Sequence, residues 1–195
     1  MRRLRRASVV SIASLLLSVA APVVARADQQ QDPELKSLLQ KIIGSSECFT
    51  DKYDAEVWYK TMEPRMVKFV PTHEARIEIL DHVYCEAKRD PSLQLPPDLV
   101  LALMEVESRF DRWAVSPAGA VGLMQVMPFW PRQLGVQNQL VKVAPNIRMG
   151  CEILRYYLKV ENHNWTRALA RYNGSLGRNT YPALVMQRWQ KAWRF

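Results

Sequence analysis

Val106-Glu107-Ser108-Arg109-Phe110 is followed closely by Ser116-Pro117-Ala118-Gly119-Ala120 and then by Gly122-Leu123-Met124-Gln125-Val126-Met127-Pro128. Together they place one acid where an apolar helix runs into a glycine-bearing turn. If residues 98 to 110 are helical, the period of 3.6 sets Leu99, Leu103, Val106 and Phe110 on one stripe that faces a core. Glu107 then falls roughly 70° from the centre of that stripe and Glu105 on the far side. The spacing predicts a half-buried Glu107 and a solvated Glu105. An acid at the edge of an apolar face loses hydration of its charged form, which raises its pKa toward the range useful for donating a proton. Taken alone, such a glutamate is more often an ordinary boundary residue satisfied by a helix partner.

Strand signals are sparse, and the chain reads as mostly α. Asp32 before Pro33 resembles an N-cap with proline at the first helical position, opening a helix that Gly44 closes. A second helix fits about 51 to 68, with Ala55, Trp58, Tyr59, Met62 and Met66 at helical spacing and Pro64 as a kink or early stop. A third runs from Thr72 to about Lys88. Three prolines within Pro91 to Pro97 break any helix and mark the best boundary. Further on, Ile147, Ile153, Leu154 and Tyr157 stripe a helix in which Gly150 permits close approach of another helix. A last pattern begins near Trp165 and ends at Ala170-Arg171-Tyr172-Asn173-Gly174.

The first residues, Met1-Arg2-Arg3-Leu4-Arg5-Arg6, precede an apolar run from Val9 to Val24 and the small-residue site Ala25-Arg26-Ala27. These are the three parts of a secretory signal, predicting a mature chain from Asp28. An uncleaved anchor and a twin-arginine signal are the alternatives. No cysteine near the cleavage site offers a lipid anchor, and no stable membrane anchor is expected. The signal holds five of the 27 basic residues and no acids, so the remaining 22 face 19 acidic residues and the net charge is +3, not the +8 of the full sequence. That balance does not argue for nucleic acid.

Of the three cysteines, Cys48 and Cys85 are favoured as a pair over any pair that uses Cys151, which reads as a small core residue. His73, His82 and His163 show no ligand spacing with the cysteines, so no metal and no cofactor are expected. Pro128-Phe129-Trp130-Pro131 fits equally a rim on which sugars stack and a hydrophobic loop closure. Asp111 lies four residues after Glu107 but where the helix should be ending, and reads as a cap or surface residue.

The Glu-Ser pair, the Ser-Pro-x-Gly-Ala and Gly-Leu-Met-Gln-x-Met-Pro runs, and Ala170-Arg171-Tyr172-Asn173-Gly174 resemble, in order and approximate spacing, the lytic transglycosylase domain of the soluble type. That fold is related to goose-type lysozyme. The resemblance covers roughly residues 93 to 190. It implies an all-α protein: a signal at 1–27, a small N-terminal helical unit at 28–92 and a lysozyme-like catalytic domain at 93–195. It further implies that Glu107 is the sole catalytic acid and base, cleaving the bond between N-acetylmuramic acid and N-acetylglucosamine in peptidoglycan glycan strands and leaving a 1,6-anhydromuramoyl end. Ser116, Gln125, Met127 and Tyr172 are similar to groups that bind the glycan or orient the acid, and Asn146 to a supporting residue. Ordinary glycosidases need two carboxylates, and here the motifs provide one. The expected setting is a periplasmic monomer, with cell-wall or secretion-machinery proteins as further partners. A goose-type muramidase using water and a noncatalytic wall-binding module are the competing readings.

Overall fold

A computed structural model describes residues 52–195. The expected signal, the helix from Pro33 to Gly44 and Cys48 lie outside the described residues. Seven α-helices and one π-helical turn follow: α1 Lys52–Met66, α2 His73–Lys88, α3 Pro97–Ser108, α4 Phe129–Leu134, α5 Val143–Val160, α6 Trp165–Asn173 and α7 Thr180–Arg188, running on into the turn Trp189–Trp193. Isolated bridges join Val115 to Val121 and Val121 to Val126, and no strand occurs among the described residues. The mostly α class is therefore as the sequence led us to expect. No helix among the described residues is long and apolar enough to cross a membrane.

Helix α3 is the axis. Pro96 and Pro97 start it, with proline at the first position where its missing N–H costs nothing. From Asp98 to Glu105 every residue is buried, because α2, α7 and the π-helical turn cover it from different sides. This overturns the expectation of a solvated Glu105, which is 7% exposed. Trp193 Nε1 donates to its Oε2 at 2.7 Å, and Arg188 lies 3.7 Å from its Oε1. Two turns earlier, Asp98 accepts Trp189 Nε1 at 2.7 Å and the Phe195 N–H at 3.0 Å. Two buried carboxylates on α3 thus meet two indole N–H groups four residues apart on the turn, which satisfies charges that burial would otherwise make costly.

One core cluster runs from Trp58, Met62 and Met66 of α1 through Leu80 and Val83 of α2 to Leu99 and Leu103 of α3, Leu154 of α5 and Val185 of α7. The α1 residues recur at four-residue intervals, and Pro64 sits in the last turn, where helix α1 stops at Met66. Helix α5 packs on α2 and α6. Asn164 caps α6 by accepting the Arg167 N–H at 3.0 Å, and Glu161 holds the same helix through Arg167 and through Arg171 at 2.6 Å. Burial opposes the charge on Glu161, but its bonds to these two arginines prevail and lower its pKa. Helix α7 fully buries only Pro182 and Val185, while Tyr181 and Met186 pack partly buried against the core.

Cys85 is disulfide-bonded and Cys151 is free. Cys151 is fully buried, as a core residue should be, and burial pushes its thiol up to about 12, which leaves it inert.

Candidate active site

Glu107 is the penultimate residue of α3 and is half-buried, at the edge of the stripe formed by Leu99 and Leu103. The helix ends at Ser108, two residues sooner than the periodicity predicts. Arg109 and Phe110 both take left-handed backbone, with φ of 54° and 64°. Such conformations cost of order 1–3 kcal/mol each in non-glycine residues and persist only where packing enforces them. The enforcement is aromatic: Phe110 packs on Phe69 and Trp193 at centroid distances of 5.2 and 5.3 Å. The reversal turns the chain away from the helix axis and starts the loop that Ser108, next to Glu107, holds through Leu123 O.

That loop, residues 111–128, is held by named bonds rather than by regular structure. Val121 and Val126 exchange both backbone hydrogen bonds, at 2.9 and 3.0 Å, and Gly122 N–H donates to Ala114 O at 2.9 Å. Asn146, fully buried on α5, accepts the Met124 N–H at 2.7 Å and donates to Val121 O and Leu140 O at 2.9 and 2.8 Å. Ser108 Oγ donates to Leu123 O at 2.7 Å, and the Tyr172 hydroxyl donates to Met124 O at 2.7 Å. Gly122 has φ +79°, and a Cβ there would stand 2.3 Å from Leu140 O, so only glycine fits. Gly150 also has no room for a side chain, but the group that fills the space is Met124 of this loop, not another helix as the sequence suggested: a Cβ would meet its Sδ at 2.6 Å.

The residues singled out in the sequence take these positions. Ser116 Oγ accepts the Ala120 N–H at 3.0 Å. Gln125, in left-handed backbone at φ 49°, donates Nε2 to Ala114 O and Gly122 O at 3.2 and 3.0 Å. Met127 is partly buried against the core. Tyr172 is buried and near enough to Glu107 to feel its charge; burial, then that charge, push its phenol well above the ordinary tyrosine range. Trp130 is fully buried, so it closes the loop and offers no stacking face, and its Nε1 has no hydrogen-bond partner. Asp111 is exposed and accepts the Trp113 N–H at 2.8 Å. Because Phe110 breaks the helix before it, Asp111 does not share the face of Glu107.

Tyr181 is the residue that sequence reasoning missed. Its hydroxyl donates to Glu107 Oε1. Burial first, and then Glu107, raise its phenol well above the ordinary range, so it stays a donor. Thr180-Tyr181-Pro182 carries no spacing that ties it to an acid 74 residues away. Among the described residues no group of three or more His, Cys, Asp or Glu could hold a metal ion.

The arrangement is one half-buried carboxyl, a tyrosine O–H on one of its oxygens and a clamped polar loop beside it. Over residues 85–190, more than half of the chain, the sequence matches the model of the Transglycosylase SLT domain family. The chain belongs to that family. It is 59% identical over 34 residues to the membrane-bound lytic murein transglycosylase C of Actinobacillus pleuropneumoniae serotype 5b (strain L20), a match covering 17% of this chain and 9% of that protein. It is 34% identical over 99 residues to the transglycosylase of Enterobacteria phage PRD1, covering 48% of this chain and 37% of that one. An inactive mutant of the lytic transglycosylase Slt from Pseudomonas aeruginosa aligns over 72% of this chain and 27% of its own, at 23% identity and a TM-score of 0.46. This SLT-domain chain therefore spans well under half the length of each of these relatives.

Proposed function

We propose that this SLT-domain protein is a peptidoglycan lytic transglycosylase, with Glu107 as its single acid and base. The observation that carries the reading is the setting of Glu107: half-buried at the end of α3, hydrogen-bonded by Tyr181, with no second carboxylate of its helix on the same face. Protonated, Glu107 gives its proton to the oxygen bridging N-acetylmuramic acid and N-acetylglucosamine as that bond breaks. Its carboxylate then takes the proton of the muramoyl 6-hydroxyl while that oxygen closes on the anomeric carbon. The product is a 1,6-anhydromuramoyl end, and no water is consumed. Retaining and inverting hydrolases place a second carboxylate for a nucleophile or a base. Asp111, the nearest candidate, is exposed and turned into its own loop, which favours internal attack over a muramidase using water.

Ser116, Gln125, Met127 and Tyr172 bind the glycan in this reading. Ser116, whose Oγ already accepts a backbone N–H, donates its O–H to sugar oxygens. Gln125, whose Nε2 is engaged with the loop, offers its carbonyl oxygen to acetamido N–H groups. Residues 93–195 form the catalytic part, and α1 and α2 before it buttress it. Cleavage of a signal at Ala27 delivers the chain as a monomer to the periplasm. The test is mass spectrometry of muropeptides released from purified sacculi. Wild type should release products lighter by one water than their reducing counterparts, and Glu107→Gln none. Release by Glu107→Gln would refute the assignment.

A further inference from the structure

Helix α3 carries three acids, Asp98, Glu105 and Glu107. Each accepts a hydrogen bond from the same following element: Asp98 from Trp189 Nε1 at 2.7 Å, Glu105 from Trp193 Nε1 at 2.7 Å and Glu107 from the Tyr181 hydroxyl. That element is one continuous rod. The backbone stays helical from α7 into the π-helical turn, with φ of −63° at Arg188 and −55° at Trp189. Whatever fixes Trp193 against α3 therefore also fixes Tyr181, and only Val106 separates Glu105 from the acid that Tyr181 meets.

Apolar packing gives α7 little register of its own. It fully buries only Pro182 and Val185, and hydrophobic contact is non-directional. A hydrogen bond from an indole to a carboxylate is directional and charge-assisted, so it specifies one position. The contact between Glu105 and Trp193 is also a poor way to gain stability. Both side chains are buried, and replacing both partners of a buried polar contact by apolar groups of similar shape often leaves stability unchanged or higher. Arg188 stands 3.7 Å from the Glu105 carboxylate with its side chain half exposed, too far for a hydrogen bond that would define the geometry.

We propose that Glu105 and Trp193 are positioning residues: through the rod that ends in Trp193 they hold the Tyr181 hydroxyl on Glu107. The inference rests on the reading of Glu107 as the acid and base, and it needs no contact of either residue with the glycan. Without the indole bond α7 stays attached but shifts, and an O–H···O bond weakens steeply once its angle opens. The cost falls on the reaction step and not on substrate binding.

The test replaces both partners at once in the full chain, Glu105→Met together with Trp193→Phe, so that no buried charge is left unpaired. Thermal unfolding should match wild type. In muropeptide release from sacculi, kcat should fall about tenfold to a hundredfold while the half-saturating substrate concentration holds. Introduced into Tyr181→Phe, the same pair should cost nothing further, because the bond it protects is already gone. Glu105→Gln, isosteric and able to keep a neutral bond to the indole, should lose severalfold, and it carries the same comparison where the pair does not fold. In protein isotopically labelled at tyrosine Cζ, with no substrate present, the Tyr181 signal should move in the pair variant. A full rate in that variant, a loss that repeats undiminished in Tyr181→Phe, or a Tyr181 signal that stays in place would overturn the inference. Wild-type protein that leaves sacculi intact while the Tyr181 signal still moves would instead refute the reading of Glu107 and leave the positioning standing.

Discussion

The hydroxyl of Tyr181 donates to Oε1 of Glu107 and joins the end of α3 to the first turn of α7 across 74 positions of sequence. A hydrogen bond to a carboxylate contributes about 1.5–3 kcal/mol. Tyr181→Phe keeps the ring and removes the donor. The expected result is a fall in sacculus cleavage of about tenfold to a hundredfold with the melting transition little changed. A full rate in this variant would remove Tyr181 from the site.

Alkali should find two phenols, the buried Tyr172 and the half-buried Tyr181. Tyr172 and Tyr181 are held neutral by burial and then by Glu107, so both titrate well above an unfolded tyrosine. With folded pKa values raised, the folded chain keeps protons that the unfolded chain releases above about pH 10. Below that point the two groups leave stability independent of pH; above it stability falls as pH rises. Urea midpoints measured from about pH 9 upward should show the decline, and Tyr172→Phe should make it shallower even though that variant starts less stable.

Asn146 is the clamp on the loop of residues 111–128. Asn146→Ala strands the Met124 N–H and two carbonyls, Val121 O and Leu140 O. Buried groups left unpaired cost about 1–3 kcal/mol each, so a loss of about 3–5 kcal/mol is expected. Asn146→Asp should be no better, because it keeps the acceptor for Met124 but points oxygen at the two carbonyls. Denaturant unfolding measures the loss, and hydrogen exchange at the Met124 amide should accelerate before the helices loosen.

Two glycines should respond differently to alanine. At Gly150 the new Cβ would stand 2.7 Å from the Cβ of Met124, which a rotamer change cannot relieve. Overpacking of about 1–3 kcal/mol should exceed the helix-propensity gain of about 1 kcal/mol, and displacement of Met124 should lower activity as well. Gly119, at φ +84°, has open space around it, so alanine there meets only a backbone cost of about 1–2 kcal/mol. Thermal unfolding of both variants, alongside their cleavage rates, separates the two effects.

Much of α3 was legible from its period alone. The prolines gave its start, and the angular position of Glu107 relative to Leu99 and Leu103 gave its half-burial. Glu105 was misplaced because one helix's periodicity reports only the wall its own stripe faces. The second wall comes from Trp193, 88 residues away. Tyr181 escaped for the same reason. The loop motifs singled out the segment beside Ser108, but their polar groups spend hydrogen bonds on the backbone, as Gln125 does on Ala114 and Gly122, and no spacing rule foretells that. Asn146 was read as support, and its threefold bonding is what that support consists of.

Helix α7 fully buries only two of its side chains yet carries the partner of Glu107. Elements near the end of the chain that bury few side chains fully open at lower free energy than the core. On warming, the acid should lose its tyrosine while α1 to α6 still stand. Enzyme assays would then register the first disturbance, several degrees ahead of any change in ellipticity, and heat-treated protein that still looks intact by circular dichroism should already be silent on sacculi.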